Sequence, residues 1–424
     1  MIYYNVHTHI LTMGNIPKRF LNQYLPGPLA DALDKLTNTK LGAYIFGIIL
    51  SLYGGSWGKQ YASFLKIGKS KSQMDVFENL MEQYDEDICF IALTENLEFL
   101  GGGSSPSGFE GQIEEILEVK RRYPERLLVF LGIDPRWKEN GPELRDTIVR
   151  YFETKISLNN GKEIYPFAGL NIRPSTGFFP FDIRLKESFE WASENKVPIM
   201  SHCYFMGGIF NNDESYLRTA LNPINPYTNE PSPFRKYFFK RDYLKWFLGH
   251  NNSFINRMNC SYFIEPEAYR DLLGYFQKGK KNPLKICLAH FGGAEQILIS
   301  HGYEKGRKLD NPPFGILPEN WYQQIKDLLS GGIKGLFTDI SFSLFETAIF
   351  PYLKDNLNNP DFGDKILFGD DYYLTEPSWK KKSTYKNFRE VFSAKNNAES
   401  KTLWEKIASE NPKNFLKSKY YLPE

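Results

Sequence analysis

The chain alternates short apolar runs with longer stretches in which apolar residues recur every three to four positions. A short apolar run is typical of a buried strand, and the longer periodic stretches are typical of helices that cover a sheet. Strands alternating with helices predict βα units and a parallel sheet. The eight predicted strands are Tyr3–Val6, Ile88–Leu93, Leu127–Ile133, Phe167–Ile172, Pro198–Ser201, Lys285–Ala289, Leu336–Thr338 and Lys365–Phe368.

Eight strands separated by helices favour a closed (β/α)8 TIM barrel over an open sheet. Two segments are far longer than a barrel loop needs, one after the first strand (about 10–72) and one after the fifth (about 204–263). We interpret residues 1–424 as one barrel domain with two insertions. Both insertions leave the carboxyl ends of strands, where barrel active sites lie. They are therefore predicted to form a cap over a site, with an oligomer contact as the alternative.

Charge and cysteine content narrow the class of partner. Lysine plus arginine number 52 against 50 aspartate plus glutamate, a balance that gives no reason to expect nucleic acid or a membrane surface. The four cysteines form no CxxC pair, and the first residues contain no signal-peptide pattern. We therefore expect a cytoplasmic protein that acts on a small molecule. The aromatic residues of the insertions would suit a homodimer contact.

Polar residues follow the predicted strands at the same end of each strand. His7 and His9 close the first strand, and residues two apart in a strand point to the same face. Such a ring of nitrogen and oxygen donors at one barrel mouth suits zinc, manganese or iron. The sequence therefore predicts a metal site. The strand-terminal residues are His7, His9, His202, His290, Asp370 and Asp371.

Seven motifs appear in a fixed order along the chain. They are Asn5-Val-His-Thr-His9, Gly132-Ile-Asp-Pro-Arg136, Gly169-Leu-Asn-Ile-Arg-Pro174, Val197-Pro-Ile-Met-Ser-His202, Leu288-Ala-His-Phe-Gly-Gly293, Phe337-Thr-Asp-Ile-Ser341 and Ile366-Leu-Phe-Gly-Asp-Asp371. With them, the chain resembles the amidohydrolase superfamily, in the amidohydrolase-2 branch that also holds aminocarboxymuconate-semialdehyde decarboxylase. The resemblance covers most of the chain outside the two insertions.

The resemblance implies one divalent ion, Zn²⁺ in the first place, with Mn²⁺ or Fe²⁺ as alternatives. In binuclear relatives a carboxylated lysine of the fourth strand bridges two metals, and Asn171 stands in that place here. Asparagine forms no carbamate, so a mononuclear site is expected. Asp370 is the rival to Asp371 as a ligand. The ligands implied are His7, His9, His202 and Asp371.

The expected activity is that of a metal-dependent hydrolase, in which a metal-activated water attacks a C–N or C–O bond. Asp371 would serve as the general base, and His290 would contact the water or the attacked carbonyl. Arg136 and Arg173 follow the third and fourth strands and are predicted to bind a substrate carboxylate, with salt bridges inside the loops as the alternative. A metal-dependent decarboxylase and a non-catalytic metal-binding barrel remain as alternative functions.

Overall fold

The structure is a computed structural model, and part of the chain is described. The described residues are 1–17, 72–205, 209–221, 224–225, 230–231, 252–278, 282–302, 320–372, 381–394 and 401–423. Most of the first predicted insertion lies outside them, and so does about half of the second. The cap prediction for residues 18–71 therefore falls outside the described residues.

Eight parallel strands form a single sheet in which spatial neighbours follow chain order. Each strand overlaps one of the predicted apolar runs, and the first extends beyond its prediction to include His7 and Thr8. We number the strands β1 (Tyr3–Thr8), β2 (Ile88–Leu93), β3 (Leu127–Ile133), β4 (Gly169–Ile172), β5 (Ile199–Ser201), β6 (Ile286–Leu288), β7 (Leu336–Asp339) and β8 (Ile366–Leu367).

The sheet closes on itself where β8 meets β1. The Val6 amide donates to the Phe368 carbonyl at 2.9 Å, and the Asp371 amide donates to the His7 carbonyl at 2.9 Å. A parallel bridge between Thr8 and Tyr372 continues this contact. The prediction of a (β/α)8 barrel is confirmed by this closed arrangement.

Helices follow the strands, and most of them cover the outside of the sheet. They are α1 (Gln73–Met81), α2 (Gly108–Arg122), α3 (Gly141–Glu153), α4 (Lys186–Glu194), α5 (Glu214–Ala220), α6 (Asn252–Ser261), α7 (Arg270–Gln277), α8 (Ala294–Ser300), α9 (Trp321–Ser330), α10 (Phe350–Asn358), α11 (Lys381–Ser393), α12 (Leu403–Glu405) and α13 (Asn411–Leu416). A π-helical turn, Lys406–Glu410, joins the last two. Across the described ranges, no helix combines the length and the apolarity needed to cross a bilayer.

Shorter elements complete the frame. Two-stranded pairs are formed by Ile156–Ser157 with Glu163–Ile164 and by Ile224–Asn225 with Glu230–Pro231. The 3-10 turns are Met13–Asn15, Pro174–Thr176, Ile183–Leu185, Tyr262–Ile264, Pro266–Tyr269, Ala289–Gly292, Thr347–Ile349 and Gly363–Lys365.

Two separate groups of buried side chains stabilise the barrel. The larger fills the space between the sheet and the helices. The smaller, which we call the inner cluster, fills the barrel interior and includes Tyr4, Phe130, Phe337 and, from the C-terminal helix, Phe415. The Phe415 ring lies 6.3 Å from that of Phe130 and 5.1 Å from that of Phe337, between ring centroids. The last helix therefore closes the amino end of the barrel and leaves the carboxyl end for other residues.

Candidate metal centre

Regular alternation along β1 would not bring its histidines into the barrel. Tyr4 and Val6 both belong to the inner cluster. Because successive side chains of a strand point to opposite faces, Thr8 rather than His7 should come next on the inner face. An irregularity is required between Val6 and the end of the strand.

That irregularity is a bulge in β1. In the pairing with β2, the three steps along β1 from Asn5 to Thr8 match only two steps along β2, from Phe90 to Ala92. A bulge inserts one residue and re-aims the side chains beyond it. His7 and His9 consequently point to the interior, where each presents its Nε2 atom to the carboxylate of Asp371.

His290 reaches the same place through a left-handed backbone. Ala289 belongs to the inner cluster, so the next residue of a regular strand would face outward. Instead His290 has φ 73° and Phe291 has φ 47°, a region that costs free energy for residues other than glycine. The His290 ring lies 4.9 Å from the ring of His7 and 4.9 Å from that of His202, between centroids.

Asp371 lies among these rings. Its Oδ1 atom is 3.7 Å from His7 Nε2 and 3.4 Å from His9 Nε2. Potential ligand atoms of His7, His290 and Asp371 all lie within 4.8 Å of one another. His290 therefore lies within the same short range of His7 and Asp371 as these two predicted ligands lie of each other. His202 joins the group through its contact with His290.

In each of four histidines of this group, one imidazole nitrogen is buried and has no hydrogen-bond partner in the described structure. A buried polar atom without a partner is rare because its desolvation is not compensated, so each such atom needs an explanation. Four of them in one place match a set of donors for a cation. The atoms are His7 Nε2, His9 Nε2, His202 Nδ1 and His290 Nε2.

Asp339, at the end of β7, fixes the orientation of two of these rings. Its Oδ2 atom accepts a hydrogen bond from His7 Nδ1 at 3.0 Å, and its Oδ1 atom accepts from the His290 amide at 3.0 Å. Ser341 Oγ donates to Asp339, which leaves its oxygen to accept from His290 Nδ1 at 2.8 Å. Each ring therefore carries its proton on Nδ1 and turns a lone pair on Nε2 inward, which is the form that binds a metal.

Burial and charge together set the protonation states. Burial lowers the pKa of His9 and His202 well below the ordinary value, and it lowers the pKa of His290 to about 3. Burial also acts on His7, but the neighbouring Asp339 carboxylate outweighs it and raises the pKa of His7. At neutral pH His9, His202 and His290 are therefore uncharged and can donate to a cation.

The two aspartates after β8 have different surroundings. Asp370 accepts hydrogen bonds from the Tyr84 hydroxyl and, at 2.8 Å, from the Tyr372 amide. Asp371 has φ 55° and lies beside the histidines instead. Burial raises the pKa of both carboxyl groups, that of Asp371 to about 7. The geometry thus favours Asp371 over its rival as the ligand.

The two predicted substrate-binding arginines both hold carboxylates of this chain. Arg173 is buried and pairs in a bidentate manner with Glu95, with Nε donating to Oε2 at 2.8 Å. Arg136 pairs with Asp134 through Nε at 2.7 Å and Nη2 at 2.6 Å. The loop salt bridges that the sequence left as an alternative are thus present, and a role of either arginine in substrate binding stays a prediction.

Glu95 is a site residue that the sequence reasoning missed. Its Oε1 atom lies 3.5 Å from His9 Nδ1 while the carboxylate also holds Arg173. The pattern did contain a signal for it, because Glu95 follows β2 at the same end of the barrel as the histidines.

Asn171 and the described part of the second insertion complete the carboxyl end. Asn171 donates from Nδ2 to the Thr94 carbonyl at 3.0 Å. From the insertion, Asn211 donates to the carbonyls of Phe99 at 2.8 Å and Thr176 at 2.7 Å. This part of the insertion therefore packs over loops that follow β2 and β4.

No family model and no curated protein matches the chain. Three similar solved structures have TM-scores under 0.5. An uncharacterized TIM-barrel protein from Bordetella bronchiseptica has TM-score 0.48 at 12% identity, covering 98% of each chain. A 5-carboxyvanillate decarboxylase from Sphingomonas paucimobilis has TM-score 0.45 at 11% identity, covering 98% of each chain. A zinc-bound amidohydrolase from Burkholderia multivorans has TM-score 0.46 at 10% identity, covering 98% of this chain and 99% of the other. Structural similarity at these TM-scores carries no argument about function. The geometry of the site has to carry it.

Proposed function

We propose that the chain is a metal-dependent hydrolase that uses one divalent ion held by His7, His9, His202 and Asp371. The observation that carries the proposal is a set of four buried imidazole nitrogens, beside the Asp371 carboxylate, that have no hydrogen-bond partner among the described residues. Three neutral imidazoles and one carboxylate form a borderline donor set, which favours zinc, with manganese or iron as alternatives. Asn171 stands where binuclear members of the amidohydrolase superfamily have a carboxylated lysine that bridges two metals. Because asparagine forms no carbamate, this residue supports a single ion.

When bound, the ion would supply Lewis acidity and bring the pKa of a water toward ~7. The chain's own residues would manage the protons. Asp371 would take the proton of the attacking water and deliver it to the leaving nitrogen or oxygen. Because His290 carries its proton on Nδ1, its Nε2 atom is an acceptor. His290 would therefore orient the water by accepting its O–H rather than polarise the carbonyl of the substrate.

The same donors would suit a non-oxidative decarboxylase, which needs a cationic group for the substrate carboxylate. Both arginines near the site already hold carboxylates of the chain, Arg173 that of Glu95 and Arg136 that of Asp134. A substrate carboxylate would have to share Arg173 with Glu95. This observation favours hydrolysis over decarboxylation.

The proposal is tested by counting metals in protein purified without chelator. We expect one ion per chain in the wild type and its loss in the His7→Ala/His9→Ala double variant. His301→Ala is the matched control, since His301 is exposed and stacks on Tyr352. A wild-type chain that takes up neither zinc nor manganese would remove the proposal, and two ions per chain would contradict the single-ion part.

Reaction class is tested next with the metal-loaded protein. Small amides, lactones and esters are compared with aromatic carboxylic acids, and carbon dioxide release is measured alongside hydrolysis. Turnover that depends on Asp371 and releases no carbon dioxide supports a hydrolase. Carbon dioxide release without hydrolysis would establish the decarboxylase instead.

A further inference from the structure

The segment that follows β8 is tied to β1 through its backbone. The Asp370 amide donates to Asn5 Oδ1 at 3.2 Å, and the Asp371 amide donates to the His7 carbonyl at 2.9 Å. Gly369 lies so close to β1 that an added Cβ atom would come within 2.8 Å of His7 Cβ. The backbone of this segment is thus fixed against β1 at the point where its two aspartate side chains diverge.

Asp371 reaches the histidines through an unusual backbone conformation. Its φ angle is 55°, and an aspartate adopts this left-handed region at a cost in free energy. The next amide, that of Tyr372, donates to Asp370 Oδ1 at 2.8 Å. An aspartate side chain that accepts from the amide two residues ahead forms a local turn around the residue between them. The Asp370 carboxylate therefore holds the turn in which Asp371 lies.

Tyr84, in the turn after α1, holds the other oxygen of that carboxylate. Its hydroxyl donates to Asp370 Oδ2. The Tyr84 ring lies 5.2 Å from that of Phe90 and 4.4 Å from that of Tyr385, between centroids, so the hydroxyl has a fixed place. Burial and the Asp370 carboxylate raise the pKa of Tyr84 well above its ordinary value, which keeps the hydroxyl protonated. A hydroxyl that donates to a carboxylate makes one of the stronger hydrogen bonds.

We propose that Tyr84 is a positioning residue for Asp371. Its hydrogen bond fixes the Asp370 carboxylate, the carboxylate fixes the turn, and the turn aims Asp371 at His7 and His9. The same hydrogen bond occupies the carboxylate of Asp370, the rival ligand. This inference rests on the proposed function for the role of Asp371 as a ligand. It adds to the site a residue from the loop between α1 and β2, which carries none of the predicted ligands.

The first test needs no metal. Amide hydrogen exchange of the metal-free, full-length protein is followed by mass spectrometry in the peptide that contains Asp371, whose amide donates to the His7 carbonyl. We expect Tyr84→Phe to accelerate exchange in this peptide about ten-fold, because a hydrogen bond to a carboxylate is lost. A peptide that contains β5 is the internal reference, since unfolding of the whole barrel would accelerate exchange in both peptides.

Tyr123→Phe is the matched control. The Tyr123 hydroxyl also donates to a carboxylate, that of Glu78 on α1, at 2.7 Å, so the control removes the same atom without altering the contacts of Asp370. Asp370→Ala should accelerate exchange around Asp371 at least as much as Tyr84→Phe does. Adding Tyr84→Phe to Asp370→Ala should cause no further acceleration, because Tyr84 acts through that carboxylate.

The second test measures zinc affinity by competition with a chelating dye. Tyr84→Phe should weaken zinc binding about ten-fold, as the loss of a group that orients a ligand does. In an Asp371→Asn background the same change should have no further effect, because the ligand that Tyr84 positions is already altered. If Tyr84 only supported the fold, its loss would weaken zinc binding equally in both backgrounds.

Three results would overturn the inference: unchanged exchange around Asp371 in Tyr84→Phe, equal acceleration in the β5 peptide, or an equal loss of zinc affinity in both backgrounds. A failure of the proposed function looks different. Local acceleration in a protein whose wild type takes up no metal would uphold the positioning of Asp371 and remove the metal-dependent hydrolase. Zinc uptake that depends on His7 and His9 but not on Tyr84 would do the opposite.

Discussion

The two ends of the barrel are built by the same strands and have opposite character. At the amino end the inner cluster is apolar, and Phe415 and Leu416 of α13 close it. At the carboxyl end the buried side chains are imidazoles and carboxylates, and four imidazole nitrogens have no hydrogen-bond partner among the described residues. Burial stabilises the first end and costs free energy at the second. The amino end therefore stabilises the folded barrel. The carboxyl end lowers that stability but holds polar groups that can bind and react.

The backbone also differs between regular strand segments and the irregular carboxyl end. On β5 regular alternation carries Met200 and then His202 to the inner face. At the carboxyl end of β1 a bulge is needed, and His290 and Asp371 have left-handed φ angles of 73° and 55°. Irregular backbone at a functional end is retained when the surrounding structure holds it in place. Here the amino end and the outer helices provide that support.

The largest expected effect is the loss of stability when the amino end is altered by Phe415→Ala. The variant removes a fully buried ring that contacts Phe130 and Phe337 at the closed end, and we expect a loss of about 3–5 kcal/mol in the free energy of unfolding. Chemical denaturation measures it. Phe345→Ala is the control because that ring is 38% exposed, and an equal loss there would show that the closed end has no special role.

Asp339→Asn should act at the other end. The variant keeps the shape but weakens the acceptor that orients His7 and His290, so zinc affinity should fall by about 10–100-fold. Competition with a chelating dye measures the affinity. Asp361→Asn, on the exposed surface, is the matched control. Unchanged zinc affinity in Asp339→Asn would show that the rings are oriented by other contacts.

The pH dependence of zinc binding should be set at the carboxyl end. Burial raises the pKa of Asp371 to about 7, so below that pH the carboxyl group binds a proton that zinc must displace. Affinity is therefore expected to hold above pH 7 and to fall by about ten-fold per unit below it, with His7, whose pKa is also raised, adding to the fall. Asp371→Asn should bind zinc more weakly and with a shallower pH dependence. An equally steep dependence in that variant would assign the proton to another group.

The smallest effect should come from Lys285→Met at the closed end. Lys285 Nζ donates to carbonyls at the end of α13, among them Asn414 at 3.1 Å and Lys417 at 2.5 Å. A cation at a helix carboxyl terminus is stabilising, and we expect its removal to cost about 1 kcal/mol. Thermal unfolding measures it, and zinc affinity should stay at the wild-type value. A change in zinc affinity would mean that the two ends are coupled.

The sequence predicted the regular part of the molecule. Apolar runs located all eight strands because a fully buried parallel strand needs an uninterrupted apolar segment. Strand ends located the histidines for the same reason, since a polar residue marks where the apolar interior stops. The bulge in β1 and the left-handed His290 could not be predicted, because they depend on the register against β2 and on contacts with Asp339. The carboxylate partners of Arg136 and Arg173 likewise require the loops to be placed in space.

The closure of the barrel has a consequence for synthesis of the protein. Ser409 Oγ donates to the Ile2 carbonyl across a separation of 407 residues, and β1 pairs with the segment that follows β8. During translation β1 therefore presents one unpaired edge until the ribosome has released the segment around residue 370. An unpaired strand edge readily pairs with other chains. The nascent chain thus depends on protection of that edge. A polypeptide truncated before β8 would form an open, aggregation-prone sheet rather than a smaller barrel.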